Sequence, residues 1–314
     1  MKQIFIAGHN GMVGSAILKI LQKKKNCKIL TVTRKKVDLE DYNQVESFFK
    51  KNLINEIYLC AAKVGGINAN KKFPVEFLLN NLKIQNNCIS LAFKYKIKKI
   101  LFLGSSCIYP KLSKQPIKED YLLSGKLEDT NEAYALAKIS GMKLCNYYNK
   151  QYNTDYRSVM PTNLYGPNDN YNLMNSHVIS ALIKKTLLIK KKPTKPLIVW
   201  GTGRPKREFL HSQDLAEGCI KIMNLSKKGY KDILGNDACI NVGSGKEITI
   251  KQLAETIRKI INIKNKIKFD KSKPDGTPRK ILNISKIKKT GWKPKITLSE
   301  GLSQIIKEVS KKKF

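Results

Sequence analysis

Tyr134 and Lys138 are the residues of this sequence whose types and spacing most directly suggest acid–base chemistry. At positions i and i+4 of a helix, both side chains leave the same face about one turn apart. A nearby ammonium stabilises a phenolate, so Lys138 is expected to make Tyr134 a proton donor and acceptor near neutral pH. With the hydroxyl of Ser105 opposite, two donors would meet the oxygen of a ketone that is being reduced. The same spacing also fits an amphipathic helix with a core tyrosine and a solvated lysine.

The neighbouring elements must therefore show which of these two interpretations applies. They predict a parallel sheet. A buried strand over 100–103 breaks at Gly104 and leaves Ser105, Ser106 and Cys107 on its exit loop. The Tyr134 helix is predicted to run to about Tyr152. Strands and helices alternate through the first half as βαβαβαβ, which is typical of an α/β doubly wound parallel sheet of the Rossmann type.

The first strand leads into a glycine pattern, G-x-x-G-x-x-G, at Gly8, Gly11 and Gly14. A strand, this pattern and then a helix form the context that a dinucleotide-binding fingerprint requires. The glycines allow a tight turn and let the backbone approach a pyrophosphate, which the N–H groups of the helix N-terminus attract. The sequence therefore predicts a dinucleotide site at this end of the chain.

The second strand, predicted over 28–33, ends in cations at Arg34, Lys35 and Lys36. An NAD site usually carries an acid at this point, whereas cations suit the 2′-phosphate of NADP. Arginine occurs only six times in this lysine-rich chain, which favours a need for the planar fork of Arg34. A short strand is predicted over 37–39, with Asp38 near the adenine.

The composition is strongly basic, because 60 lysines and arginines against 24 acidic residues give a net charge of +36. Nucleic-acid-binding proteins can show the same balance. The lysines are spread over nearly every segment, however, and no basic stretch is interleaved with aromatic residues. We interpret them as a solvated surface that steers anionic substrates, and a nucleic-acid-binding scaffold stays open as the alternative from another functional class.

The remaining composition places the chain among cytoplasmic globular proteins. Its 314 residues can bury a large core, and its seven cysteines, without paired spacing, are typical of reduced thiols. No run of about 18 apolar residues and no signal-peptide pattern is present, so neither a membrane span nor a leader is expected. We predict a Rossmann domain over 1–165 with a return segment at about 206–228, and a smaller C-terminal substrate-binding lobe over 166–205 and 229–314.

Motifs along nearly the whole chain resemble those of a known family. They lie at 5–9, 11–15, 61–67, 104–110, 134–138, 160–167, 175–178, 199–201, 207–211 and 273–280. The chain resembles the extended short-chain dehydrogenase/reductases, and among them the GDP-L-fucose synthase family. That family uses NADPH for the 3,5-epimerisation and 4-reduction of GDP-4-keto-6-deoxy-D-mannose.

The resemblance implies roles for individual residues. Ser105, Tyr134 and Lys138 would form the reductase triad, and Cys107 and His177 would be the base and acid of epimerisation. The residues implied at the NADP(H) site are Gly8, His9, Asn10, Gly11, Met12, Val13, Gly14, Arg34, Lys35, Asp38, Leu39, Leu103, Gly104, Ser105, Ser106, Lys138, Pro161, Thr162, Asn163, Leu164 and His177. Those predicted to bind the GDP-sugar are Lys185, Trp200, Arg207, Asp275 and Arg279. Lys185 departs from the family pattern, since an arginine can stand at this position in the family.

The resemblance also implies an assembly. The long helix around Leu82 and the Tyr134 helix would form a homodimer interface, with Leu144, Tyr147 and Tyr148 contributing apolar area.

The implied chemistry is consistent with these residue types. A 4-keto group acidifies the protons on carbons 3 and 5, so a base can remove each and an acid can return a proton on the opposite face. A cysteine serves as a base where nearby cations or a helix end favour the thiolate, and an imidazole titrates near neutrality. Two other interpretations stay open, in which Cys107 is a small core residue and His177 an ordinary residue at a helix start.

Related enzymes are the main rivals to this interpretation. A nucleotide-sugar epimerase, a dehydratase or a single-step 4-reductase could share the fold. A 4,6-dehydratase would need an acid pair after Ser105, where this chain has Cys107 and Ile108. Another GDP-sugar, such as a heptose or a 3,6-dideoxy sugar, remains the alternative substrate.

Overall fold

Six parallel strands form the central sheet of the computed structural model, which describes residues 1–173 and 176–311. The strands of the chain are β1 (Lys2–Ala7), β2 (Cys27–Leu30), β3 (Glu56–Leu59), β4 (Lys99–Leu103), β5 (Asp155–Pro161), β6 (Asn163–Tyr165), β7 (Leu197–Trp200), β8 (Lys206–His211), β9 (Ile240–Val242), β10 (Glu247–Thr249), β11 (Ile267–Asp270) and β12 (Arg279–Lys280). The helices are α1 (Met12–Leu21), α2 (Tyr42–Lys51), α3 (Ile67–Lys72), α4 (Pro74–Lys94), α5 (Glu132–Tyr152), α6 (Val178–Ile189), α7 (Ser212–Asn224), α8 (Lys227–Leu234), α9 (Ile250–Ile261), α10 (Ser285–Lys288) and α11 (Leu298–Val309).

The strand order of the central sheet is β2-β1-β3-β4-β5-β9, and every neighbouring pair is parallel. β3 and most of β1 and β4 are buried, as expected for strands covered by helices on both faces. The chain order reverses between β1 and β3, which creates a crevice at their carboxyl ends where ligands bind in such sheets. The predicted doubly wound parallel sheet is confirmed.

Helix α5 carries Tyr134 and Lys138 and packs against α4. The amide of Gln85 in α4 donates to the carbonyl of Ala137 at 2.7 Å, so the two helices are joined by a buried hydrogen bond directly beside the functional turn. α5 ends where Asn153 adopts a left-handed conformation, with φ of 53°. Its end at Tyr152 agrees with the sequence-based expectation.

Two smaller sheets accompany the central one. β10, β8 and β12 form one of them, with β6 pairing on β8, and β7 pairs with β11. A second apolar cluster, separate from the main core, includes Tyr165, Leu253, Ile257 and Leu302. The predicted division of the chain into two parts stays a prediction, and the last strand of the central sheet, β9, lies within 229–314.

The segment after β2 differs from the expectation. β2 ends at Leu30, and 37–39 is not a strand. The N–H groups of Lys36 and Val37 bond to the Thr33 carbonyl in a turn, and the Asp38 N–H donates to the Gln44 side chain at 2.9 Å. These donors are therefore not available to a strand ladder.

Within the described ranges, no helix has the length and apolar composition needed to cross a membrane.

Candidate active site

A cavity of about 910 Å³ opens at the carboxyl ends of β1, β3 and β4. Its walls include the loops after these strands, the segment 161–164, helix α6, and residues from β7, β8 and 273–280. It therefore occupies the crevice that the reversal of strand order creates, and it extends from there to the small sheets.

The glycine loop forms one end of this cavity. Gly8 has φ of +84°, and a Cβ atom at Gly8 would lie 2.7 Å from the backbone nitrogen of Ala61. A Cβ atom at Gly14 would lie 2.1 Å from the Gly8 carbonyl oxygen. α1 starts after Gly11 with no side-chain cap, so its first N–H groups remain available for an anion. The loop thus fits the pyrophosphate of a dinucleotide.

Most residues predicted to bind the cofactor line this cavity. They are 8–14, Arg34, Asp38, Leu39, 103–106, 161–164 and His177. Lys35 is exposed and not among the lining residues, and Lys138 is buried behind the wall. Asn175, in the motif 175–178, lies outside the described residues.

Arg34 stands at the far end of the dinucleotide groove. Its Nη2 lies 2.8 Å from Glu40 Oε1, and its Nε lies 3.3 Å from Asp38 Oδ2. Because the side chain is largely exposed, these ion pairs contribute little to stability and can be exchanged for another anion. The fork of Arg34 is thus held at the cavity edge by two carboxylates.

The three residues of the predicted reductase triad come together where β4 ends. The Ser105 hydroxyl accepts from the Cys107 N–H at 3.2 Å, which leaves its own O–H free to donate. Lys138 Nζ donates to the Leu103 carbonyl at 2.9 Å and lies 5.8 Å from the centroid of the Tyr134 ring. Ser105 and Tyr134 both line the cavity, so two hydroxyl donors converge on it.

The charge states of these groups differ from the expectation. Burial raises the pKa of Tyr134 well above its usual range, the Cys107 sulfur raises it further, and a hydrogen bond to Ser105 opposes both effects. Burial also lowers the pKa of Lys138 to about 8, against a small opposing effect of Cys60. Burial and the Cys107 sulfur, and not the Lys138 ammonium, therefore govern the pKa of Tyr134, and they favour the protonated phenol over the phenolate expected from the sequence. Tyr134 is instead a protonated phenol, which suits a proton donor.

Cys107 lies in a short 3₁₀ turn, Ser106–Ile108, directly after Ser105. Asn131 Nδ2 lies 3.5 Å and Lys280 Nζ 3.6 Å from its sulfur. The thiol is half-buried, since it lines the cavity and also packs against the apolar core. His177, the cap residue of α6, is exposed and lines the same cavity.

The end of the cavity that carries the predicted substrate residues is built from cations around the indole of Trp200. Lys185 Nζ lies 4.8 Å and Lys273 Nζ 5.8 Å from the centroid of the Trp200 ring. Arg207 Nη2 donates to the Asp275 carbonyl at 3.3 Å, and the Asp275 carboxylate accepts from the N–H and hydroxyl of Thr202, both at 2.7 Å. An aromatic face and several cations suit a base and a diphosphate.

Arg279 is the one predicted substrate residue that the structure does not bring to the cavity. Its Nε pairs with Glu247 at 2.7 Å on the other side of β12. The next residue, Lys280, lines the cavity instead. Successive side chains of a strand point to opposite faces, and the sequence alone did not reveal which of the two cations faces inward.

Sequence reasoning missed three groups that share the cavity, namely Asn131, Lys273 and Lys280. Asn131 is the residue directly before α5, and it lies about one helical turn before Tyr134. Its approach to Cys107 joins residues 24 positions apart, and no local pattern signals this contact. Lys273 and Lys280 could not be singled out, because lysines are frequent throughout the sequence.

Comparisons with known proteins agree with this geometry. Residues 4–242 match the model of the NAD dependent epimerase/dehydratase family. The chain belongs to this family. The GDP-L-fucose synthase of Escherichia coli (strain K12) is 48% identical over 306 residues, which cover 96% of this chain and 94% of the relative.

Two less similar proteins extend the comparison. The GDP-L-colitose synthase of Yersinia pseudotuberculosis is 37% identical over 303 residues, covering 96% of both chains. The GDP-mannoheptose C4 reductase of Campylobacter jejuni, solved with NADP bound, has a TM-score of 0.87 at 32% identity and covers 98% of both chains. Both proteins resemble this chain over almost its whole length.

Proposed function

We propose that this protein converts GDP-4-keto-6-deoxy-D-mannose to GDP-L-fucose by 3,5-epimerisation and NADPH-dependent 4-reduction. The observation that carries the proposal is that Ser105 and Tyr134 line the same cavity as Cys107 and His177. The first pair suits reduction of a ketone, and the second offers a base and an acid. The 48% identity to a GDP-L-fucose synthase over nearly the whole chain supports the same activity.

Ser105 and Tyr134 hold the carbonyl oxygen of carbon 4 through their O–H groups. This contact stabilises the negative charge that collects on that oxygen when a neighbouring proton is removed. Cys107 removes the protons from carbons 3 and 5 in turn, and His177 returns a proton on the opposite face each time. Between the two inversions the sulfur gives its proton to water and His177 takes one from water, which restores the base and the acid. Tyr134 finally protonates the oxygen of carbon 4.

The glycine loop and Arg34 hold the cofactor, since the loop fits a pyrophosphate and Arg34 can exchange its carboxylate partners for the 2′-phosphate of NADP(H). NADPH, when bound, supplies the reducing equivalents for carbon 4. Lys138, which is buried behind Tyr134 with its Nζ on the Leu103 carbonyl, holds the nicotinamide ribose once that bond opens toward the cavity. The solved relative with NADP bound supports this choice of cofactor.

Trp200, Lys185, Arg207 and Asp275 bind the GDP moiety at the other end. Lys185 provides a point charge where a planar fork can stand in the family, and a point charge still attracts a diphosphate. Lys273 shares the Trp200 ring with Lys185, so two ammonium groups serve this part of the cavity.

A related GDP-4-keto sugar is the second candidate substrate. The similarity to a GDP-L-colitose synthase and to a GDP-mannoheptose C4 reductase favours it, because the first is 37% identical over 303 residues and the second superposes on 98% of this chain with a TM-score of 0.87. The two candidates differ in the sugar, while the roles of the cavity residues stay the same.

The protein acts as a homodimer in the cytoplasm, with a GDP-sugar rather than a nucleic acid or a membrane as its partner. The apolar face of α4 and α5 supports the dimer, since Leu79, Phe93, Leu136 and Tyr147 are exposed on it. Seven free thiols are consistent with a reducing compartment.

The proposed function is tested by incubating the purified protein with NADPH and GDP-4-keto-6-deoxy-D-mannose and identifying the product by NMR. The expected product is GDP-L-fucose. Parallel incubations with a GDP-4-keto heptose and a GDP-4-keto-3,6-dideoxy sugar distinguish the second candidate. If only one of these two sugars is consumed, the second candidate replaces the first, and consumption of none of the three sugars contradicts both.

A further inference from the structure

We propose that Lys280 is a positioning residue for the inversions, because its ammonium holds the sulfur of Cys107 in the anionic form that can act as a base. The inference rests on the proposed function, in which Cys107 is that base. Its starting point is the distance of 3.6 Å between Lys280 Nζ and Cys107 Sγ. This contact joins β12 to the turn after β4 across 173 positions of the chain.

The register of β12 explains why Lys280 reaches the thiol. β12 pairs with β8 so that Lys280 lies opposite Arg207, and Arg279 lies opposite Lys206. Lys280 and Arg207 line the cavity, whereas Arg279 and Lys206 both pair with Glu247 on the outer side. Residues directly opposite each other on neighbouring strands share a face, so the strand presents one cation inward and one outward.

The charges around Cys107 leave the sulfur as the counter-charge of Lys280. Glu128, which also lines this region, pairs with Lys111 at 3.2 Å and accepts from the Thr277 hydroxyl at 3.4 Å. Over 1–173 and 176–311, no carboxylate pairs with Lys280. A half-buried ammonium that lacks a carboxylate favours an anion at its nearest polar neighbour.

The other groups that face the thiol are compatible with a negative sulfur. Asn131 donates its Nδ2 hydrogen at 3.5 Å, and the Ser105 hydroxyl accepts from the Cys107 N–H on the backbone side. The sulfur also raises the pKa of Tyr134 and so helps to keep the phenol protonated. His177 lines the same cavity and is the partner acid of the proposed reaction. A negative sulfur at Cys107 thus serves the inversions, as their base, and also the reduction, because it helps to keep Tyr134 protonated.

Lys280 itself forms and breaks no bond in this scheme. The thiolate takes the proton of carbon 3 or carbon 5 to form S–H, and the electron pair of the C–H bond moves into the enolate, whose charge rests on the oxygen of carbon 4. A proton from His177 then adds to the opposite face of the same carbon. Without the ammonium, a smaller share of Cys107 would be in the thiolate form that can accept the proton.

The experiment measures the thiol directly and needs neither sugar nor cofactor. Cys107 is alkylated with iodoacetamide between pH 6 and 9 in the wild type, Lys280→Met and Lys280→Arg, and the modified peptide is quantified by mass spectrometry. Lys280→Met should lower the rate at pH 7 about tenfold, since a hydrogen bond to a charged group is worth roughly 1.5–3 kcal/mol. Its rate profile should also move to higher pH, and Lys280→Arg should restore most of the rate.

Lys206→Met is the matched control, because it removes one cation from the outer face of the adjacent strand. It should leave the rate at Cys107 unchanged, and the peptide of Cys27 serves as an internal reference thiol in every sample. If Lys280→Met does not fold, Lys280→Gln, which keeps a polar side chain but removes the charge, should lower the rate at Cys107 by a similar factor. A wild-type rate and profile in Lys280→Met, or in Lys280→Gln when it alone folds, overturns the inference.

The same variants separate this inference from the proposed function. With the keto-sugar in deuterated water and no NADPH, Lys280→Met should lose most solvent-deuterium incorporation at carbons 3 and 5. If the wild type incorporates none, the proposed function fails, while the alkylation result still decides whether Lys280 controls the thiol.

Discussion

At the scale of single residues, the buried ammonium of Lys138 lowers the free energy of unfolding. Its side chain is almost fully buried, and burial lowers its pKa from 10.5 to about 8. Between these two pH values the unfolded lysine is protonated while the folded one is not, so unfolding takes up a proton and stability rises with pH. Below pH 8 the folded protein carries the full cost of the buried charge.

Lys138→Met should therefore raise the free energy of unfolding at pH 7 by up to about 3 kcal/mol, the equivalent of the pKa shift, less the lost bond to the Leu103 carbonyl. The gain over the wild type should shrink as the pH rises from 8 to 10.5. Urea unfolding at a series of pH values measures both effects. Lys150→Met, an exposed lysine of the same helix, is the control. Parallel pH profiles for Lys138→Met and the wild type would contradict the assigned charge state.

Arg34 carries a prediction about cofactor choice. Its fork is held by Asp38 and Glu40 at the cavity edge and can turn to a 2′-phosphate there. Because a hydrogen bond to a charged group is worth roughly 1.5–3 kcal/mol, Arg34→Ala should raise the KM for NADPH about tenfold or more and leave that for NADH nearly unchanged. Lys36→Ala removes a cation from the same turn and is the control in steady-state kinetics. Equal effects of Arg34→Ala on both cofactors count against this role.

At the scale of elements, sequence patterns predicted those structures that depend only on residues close together in the chain. The glycine loop follows its strand and leads into its helix within 14 residues, and Gly8 and Gly14 each have a steric reason that the pattern expresses. The segment 37–39 misled because its alternation favours a strand, whereas its N–H groups bond to a turn and to Gln44. Lys280 and Asn131 could not be predicted, since their contacts with Cys107 depend on the register of β12 and on the packing of α5.

The paired helices α4 and α5 carry a prediction about assembly. Tyr147 is 56% exposed on this face, where Leu136 and Phe93 are exposed as well. The wild type should have twice the chain mass of 35.7 kDa in light scattering at micromolar concentration. Tyr147→Asp should weaken the dimer, because a charge in a buried interface is costly. Leu112→Asp, at an apolar side chain that is 83% exposed on a loop, should leave the dimer intact. A monomer mass for the wild type would contradict the predicted homodimer.

At the scale of the whole molecule, the distribution of charge matches the proposed substrate. The net charge of +36 favours the approach of anions in general, and the substrate end of the cavity concentrates cations at Lys185, Arg207 and Lys273. The opposite end offers free N–H groups and Arg34. Two phosphate-bearing ligands can thus approach each other from opposite ends, with the hydroxyls and the thiol between them.

The central claim is that one cavity divides its work, with Cys107 and His177 inverting carbons 3 and 5 and with Ser105 and Tyr134 serving the reduction of carbon 4. Cys107→Ser tests it most directly, because a serine hydroxyl keeps the shape but ionises far less readily. Tyr134→Phe is the matched variant, in which reduction should suffer most while some exchange survives.

The measurement is NMR of the keto-sugar in deuterated water, first without and then with NADPH. Cys107→Ser should lose deuterium incorporation at carbons 3 and 5, and with NADPH it should still reduce carbon 4 and release an unepimerised 6-deoxy sugar. If Cys107→Ser exchanges deuterium at the wild-type rate, the thiol is not the base and the account of this cavity is contradicted.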